Sequence, residues 1–432
     1  SIKLCRGMFD GSSRRSVGDR LLPRSVSALL NHVQEQILES QSEDLTSKLL
    51  RLLHCLSPRI IDDDSPKVLD IDLNVIRVVC ADGIPNGSFP IRSALWKLLL
   101  GYLPPDLFEW DKSLSASRHA YREFIKELLE ELGSIPYSED SAKGNGFVAR
   151  ADIEPSIRNA CVLSDVLGQI QKDIYRTRVE LEFFAQRIDS CSSKVNVETR
   201  TASSSDGMVV DVHDPQCHYD ALARILLLYG KLNPLIKYVQ GMNELCAPLY
   251  YVFSHDSLSK SDAEADTFFC LSLMMAPIHE AFIKSMDDED NGLMDRLDQF
   301  SKLLQSKDTE VWRHLDENGV QPAFYAVRWL TLMLSQEFDI WSVLRLWDAL
   351  LGDLARPHPL LHYVCIAKVV LAREVLLASD FADCLQTLQH YPPFSVDKLL
   401  RCALQLRAVD LAPQGFSNRN VSARSFLNVF RS

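Results

Sequence analysis

Tyr121-Arg122-Glu123-Phe124-Ile125-Lys126-Glu127-Leu128-Leu129-Glu130-Glu131-Leu132 decides the fold class. Its apolar members Tyr121, Phe124, Ile125, Leu128, Leu129 and Leu132 fall at i, i+3, i+4, i+7, i+8 and i+11, the stripe of a helix buried on one side. Leu293, Leu297, Phe300 and Leu304 repeat the spacing, and residues 25–56 read as one or two further amphipathic helices. Residues 324–334 and 341–350 are apolar nearly all round, as helices at the centre of a large bundle are. No run alternates with period two, and neither Asn86-Gly87 nor Asn291-Gly292 sits between β-branched runs. The expected fold is all-α.

Composition narrows the function classes. The 432 residues are 47% hydrophobic and 24% charged, the balance of an ordinary globular chain. Lys and Arg number 46 against 58 Asp and Glu, a formal net charge of −12, which argues against a nucleic-acid partner because phosphate binding needs a basic surface. The eleven cysteines are scattered, Cys384 and Cys402 being nearest in sequence, so reduced thiols in a cytoplasmic setting are expected rather than a disulfide scaffold or zinc ribbon. Neither a hydrophobic signal core nor an apolar stretch long enough to span a bilayer is found, and direct membrane insertion is not expected.

Three segments are poor in large apolar side chains and read as loosely ordered: residues 1–24, 189–215 and the tail from about 409. The acidic run Asp62-Asp63-Asp64-Ser65-Pro66 is expected to close an N-terminal region before the main domain. Several chemistries are excluded by motif. The P-loop, the Gly-x-Gly-x-x-Gly turn and the Gly-x-Ser-x-Gly elbow are all missing, and Ile283 stands where a zincin beginning at His279-Glu280 needs its second histidine. His213, Cys217 and His218 could share a metal but lack a matching second pair. His358 and His362 straddle Pro359 and read as solvated or capping residues.

Two polar islands interrupt the apolar helices. In the first, Leu163, Val166, Leu167, Ile170 and Ile174 form a stripe, and Asp173 and Arg176, three apart, can meet at the helix end. A carboxylate there can aim an arginine; a plain surface salt bridge is the alternative. In the second, Asn233-Pro234 ends a helix, and Tyr238, Gln240, Gly241 and Asn243 crowd the entry to the next. Amide side chains beside a glycine at a helix mouth suit a polar ligand; a capped structural turn is the alternative.

Together the islands resemble the paired signature of the TBC domain, the Rab GTPase-activating family: Ile170-x-x-Asp173-x-x-Arg176, then Tyr238-x-Gln240. Other blocks agree in order. They are Gly83-Ile84-Pro85 with Arg92-x-x-x-Trp96, then Ala263 to Cys270, then Arg328-Trp329-Leu330 with Gln336-Glu337-Phe338, then Leu344-Arg345-Leu346-Trp347-Asp348. The resemblance runs from about residue 80 to about 407. It implies a multi-helix Rab-GAP domain of two helical subdomains over 80–407, preceded by an extension (1–79) and followed by a tail (408–432). The insert near 189–215 is similar to that of a family branch with a long, variable segment after the arginine motif.

The resemblance also implies a dual-finger mechanism acting on a GTP-bound Rab, in the service of vesicle trafficking. Arg176 would neutralise charge on the transferred phosphoryl group and Gln240 would orient the attacking water. Asp173 would orient Arg176 or its helix end, Ile170 would anchor that helix, Tyr238 would pack beside the glutamine, and Gly241 and Asn243 would shape the loop, with Thr177 grouped among these supporting or Rab-binding residues. GTP and Mg²⁺ would arrive with the Rab, the chain holding no cofactor or metal of its own. It would not be a stand-alone enzyme, and it would visit endomembranes only through its partner. The competing readings are a Rab-binding scaffold that recruits through the helices of 25–56, and a metal-dependent hydrolase using His213, Cys217 and His218.

Overall fold

The computed structural model describes residues 22–57, 59–60, 68–133, 155–188, 212, 215–287, 292–353, 360–390 and 395–411. The segments expected to be loose fall largely outside these residues, as do the acidic run 62–66, His213 and His358.

Two helices open the described chain, α1 (Arg24–Glu39) and α2 (Glu43–Leu56), the second capped by the Ser42 hydroxyl, which accepts from the Leu45 N–H. A two-residue antiparallel pair follows, β1 (Arg59–Ile60) with β2 (Val68–Leu69), too short to alter the all-α class. Then come α3 (Leu73–Ala81), α4 (Phe89–Leu99), α5 (Trp110–Gly133), α6 (Pro155–Ile174), α7 (His218–Leu232), α8 (Met242–Ser254) and α9 (Ala263–Asp287). The C-terminal group is α10 (Leu293–Lys307), α11 (Thr309–Glu317), α12 (Ala326–Thr331), α13 (Ile340–Leu350), α14 (Leu360–Leu371), α15 (Arg373–Leu377), α16 (Phe381–Gln389) and α17 (Val396–Leu411).

The stripe on α5 buries Tyr121, Ile125, Leu128, Leu129 and Leu132 against α6, α7 and α9. At the centre lie α7 and α8, which are buried all round from Tyr219 to Gly230 and from Met242 to Phe253. The C-terminal helices pack chiefly on one another, α14 against α17 most extensively, while α13 reaches back to α3 and α8. The N-terminal helices are part of this body. Val26, Leu29, Leu30 and Val33 of α1 face α4 and α5, and Leu49, Leu52, Leu53 and Leu56 of α2 are equally buried. Asp111 of α5 accepts from the backbone N–H groups of Arg24 and Ser25 and so caps α1. The position expected to divide extension from domain falls inside α3.

Three buried ion clusters tie distant segments. Asp348, wholly buried, receives Arg92 Nε at 3.0 Å, Trp96 Nε1 at 2.9 Å and the Ile84 N–H at 3.1 Å. Asp266 receives Lys97, Arg118 and the Tyr102 hydroxyl, and Glu264 receives Arg224 and the Tyr121 hydroxyl. The ordered motif blocks of the sequence are thus polar bolts through the core. A buried pair is weak evidence for net stability, but one half without the other is costly.

One expectation needs correction. Residues 324–334 do not form one helix: a 3₁₀ turn at Pro322–Phe324 precedes α12, and Met333 and Leu334 then turn left-handed, with φ of 48° and 59°. Tertiary bonds hold this break, since Trp347 Nε1 donates to the Met333 carbonyl at 3.1 Å. His362 is also buried rather than solvated. Among the described residues, no helix is long and apolar enough to cross a membrane.

Candidate functional site

Ile170 and Ile174 are fully buried and fix the end of α6 in the core. The helix then tightens: the N–H groups of Arg176 and Thr177 bond to the carbonyls of Asp173 and Ile174 at 3.0 and 2.9 Å. Arg178 is left-handed (φ 50°), which sends the two arginines to different fates. Arg178 is buried, and its guanidinium donates to the carbonyls of Ser335 and Phe338 while Nε lies 3.6 Å from Glu244. Arg176 is exposed, with no ion pair to any described residue.

The glutamine segment is built as firmly. Asn233 ends α7 by donating from Nδ2 to the Tyr229 carbonyl at 2.8 Å, and the Lys237 N–H returns to the Asn233 carbonyl at 2.7 Å. Lys237 is left-handed at φ 60°, Tyr238 is buried, Gln240 is exposed, and Gly241 (φ 100°) opens α8. A side-chain chain then joins this loop to the arginine turn. The Tyr238 hydroxyl lies 2.8 Å from Asp173 Oδ2 and 3.1 Å from Asn243 Oδ1, which also accepts the Gly241 N–H. Asn243 Nδ2 donates to Thr177 Oγ1 at 2.8 Å, and Thr177 Oγ1 donates to the Asp173 carbonyl at 2.9 Å. Buried networks of this kind, fully satisfied, hold geometry tightly.

Arg176 and Gln240, 64 positions apart in sequence, line one open cleft of about 430 Å³. Its far wall comes from the C-terminal helices: Phe324, Val327, Arg328, Leu332 and Gln336. Burial pushes the Glu244 carboxyl up from its ordinary value, against the pull of Arg178 and a hydrogen bond from Gln336.

The Rab-GTPase-TBC domain family matches residues 200–377. Human TBC1 domain family member 13 is 35% identical over 400 residues, across 81% of this chain and 98% of the relative. The chain belongs to the TBC family. The mouse protein of the same name is 34% identical over the same shares, so the branch whose insert the sequence resembles is represented among the relatives. The crystal structure of the Ypt/Rab-GAP domain of Gyp1p shares the TBC fold, with a TM-score of 0.60 at 20% identity over 84% of this chain and 98% of that one.

Within this TBC domain two expected contacts differ from what is found. Asp173 does not pair with Arg176; its partner is the Tyr238 hydroxyl, because Arg176 lies beyond the last helical turn and faces the cleft. Tyr238 accordingly bridges the two loops rather than simply packing beside Gln240. Ile170, Thr177, Tyr238 and Asn243 are buried, and of these Asn243 lines the cleft. Of the metal candidates, His213 lies outside the described residues. Cys217 lies 3.4 Å from Asp220 in a capping arrangement, His218 Nδ1 lies 2.8 Å from the Tyr250 hydroxyl, and its ring stacks on Phe183. Among the described residues, no group of three or more His, Cys, Asp or Glu is arranged to hold a metal. Arg178, Glu244 and Arg328 went unread in the sequence as site residues, since only the tertiary fold shows which face the cleft or brace it.

Gly241 yields a direct test of the loop. A Cβ there would come within 2.8 Å of Leu332 Cδ2, at a backbone angle that side-chain-bearing residues rarely adopt. Gly241→Ala is expected to destabilise the fold by about 1–3 kcal/mol. An unchanged denaturation midpoint would refute the steric reading.

Proposed function

We propose that this TBC domain accelerates GTP hydrolysis on a GTP-bound Rab-family GTPase, supplying Arg176 and Gln240 to the partner's active site. The observation that carries the reading is the shared cleft: two exposed polar side chains from separate segments, on backbones braced by one buried network. Phosphoryl transfer spreads charge over equatorial oxygens, so a positioned cation and an oriented water supply most of the catalysis. Arg176 suits the first task because its guanidinium is always charged and planar. Gln240 suits the second, its amide offering a carbonyl to accept from water and an N–H₂ to donate to a phosphoryl oxygen. The nucleotide and its Mg²⁺ belong to the GTPase, and this chain's part is to orient and to neutralise. Recruitment to endomembranes would follow from the partner.

A scaffold that recruits through the N-terminal helices has less to work with, because the apolar faces of α1 and α2 are spent on the protein's own core. The test is single-turnover GTP hydrolysis by a panel of Rab proteins. Wild type is expected to accelerate one or a few of them, and Gln240→Ala to lose about 10²–10³ of that acceleration, the scale for removing one preorganised polar group. Acceleration unchanged by this substitution would remove the glutamine from the mechanism.

A further inference from the structure

The cleft holds a second outward-facing guanidinium, that of Arg328. It lines both hollows that Arg176 lines, but from the opposite wall. Unlike Arg176 it is held in place. Its Nε donates to Glu337 Oε1 at 2.7 Å and its Nη2 to the Gln389 carbonyl at 3.2 Å, while the side chain stays 44% exposed. Glu337 is itself buried and receives the fully buried Lys368, whose Nζ sits 4.0 Å from the centre of the Trp329 ring. Two cations therefore share one carboxylate, and the trio keeps a net charge of +1.

The neighbouring carboxylates are otherwise engaged. Asp173 accepts from Tyr238, Glu180 and Glu244 both face Arg178, Glu244 also meets Gln336, and Asp339 caps α13 through Ser342. Each wall of the cleft thus presents one outward guanidinium, Arg176 on one side and Arg328 on the other, beside carboxylates held by contacts within the fold. A guanidinium braced on one edge loses little freedom when its other edge binds, and planar donors favour a pair of anionic oxygens.

We propose that Arg328 is a preset cationic contact that engages an anionic oxygen pair of the docked GTPase, either a carboxylate side chain or the nucleotide's phosphates. This rests on the GTPase-activating reading above. The experiment takes whichever GTPase the wild-type protein accelerates, loaded with GTP, and compares wild type, Arg328→Lys and Arg328→Met for kcat, KM, salt dependence and melting temperature. Arg328→Met is expected to lower kcat/KM about ten- to a hundredfold, the scale of one charge-assisted contact, and to flatten its salt dependence. Arg328→Lys is expected to fall between the two, because an ammonium cannot both keep Glu337 and present a fork.

The two sources separate in the rate constants. If the contact is to a carboxylate, Arg328→Met raises KM, and alanine at the matching Asp or Glu of the GTPase gives a loss that Arg328→Met does not deepen. If it is to the phosphates, Arg328→Met lowers kcat instead. Full activity of Arg328→Met, within about twofold of wild type, overturns the proposal. So does a loss that Arg328→Lys shares in full, that salt dependence does not register, and that follows a lowered melting temperature, since that pattern belongs to the Gln389 tether alone. If wild type accelerates no GTPase, the parent reading fails first and the comparison of variants is never reached.

Discussion

Arg176→Ala is expected to lower GTPase acceleration by about 10³–10⁵, roughly 4–7 kcal/mol of barrier, while leaving the melting temperature where it was. The first half follows from what an arginine supplied in trans contributes to a phosphoryl-transfer transition state. The second half follows from the geometry: Arg176 is exposed and forms no ion pair with a described residue, so its removal deprives the fold of nothing. Arg178, two positions on, gives the contrast. Arg178→Ala removes the donors to the Ser335 and Phe338 carbonyls and strands Glu244, already burdened by burial, without its guanidinium. That variant is expected to lose activity through a lowered melting temperature. Single-turnover kinetics beside thermal denaturation distinguish the two. A stable but inactive Arg178→Ala together with an active Arg176→Ala would exchange their roles.

Asp348→Ala is expected to be the most damaging change for stability, at about 3–5 kcal/mol. The carboxylate has no exposure, and it is the common acceptor for Arg92, Trp96 and the Ile84 N–H. Removing it leaves the indole N–H buried without its acceptor and the guanidinium with only the Ile84 carbonyl, at a position that does not line the cleft. The expected readout is a sharp fall in melting temperature or loss of soluble protein. A variant that melts within a few degrees of wild type would mean that water or a neighbouring carboxylate had replaced it. Arg92→Met with Asp348→Leu, which removes both charges, is expected to recover part of the loss, as replacement of buried pairs by apolar residues does.

The helices were legible because their cause is local. The spacing of Tyr121 to Leu132 reports a half-buried helix whatever lies beyond it, and Asn233-Pro234 marks the end of α7 through its own chemistry. The cleft was legible only in part. Arg176 and Gln240 could be named from the family resemblance, but the spacing of Asp173 and Arg176 suggested a pair that the fold does not make. Asp173 answers instead to a tyrosine 65 positions away. Likewise nothing in residues 324–334 announces a reversal at Met333 and Leu334, because uniform apolarity carries no information about φ. Among the described residues, the non-glycine positions with left-handed backbone are Arg178, Lys237, Met333 and Leu334. Arg178 lines a hollow of the cleft, and the other three lie within three positions of the lining residues Gln240, Leu332 and Gln336.

The Asp348 cluster also has a consequence for how the molecule is made. Arg92 and Asp348 are 256 positions apart, and a ribosome adding about 5–20 residues per second separates their appearance by on the order of tens of seconds. Throughout that interval the nascent chain carries α4 with its guanidinium and indole unanswered, and α3 without the helix that covers it. The N-terminal half can form helices as it emerges, but it cannot close its core until the C-terminal half arrives. A message truncated before the codon for Asp348 therefore encodes a clientele for chaperones and proteases rather than a smaller working domain.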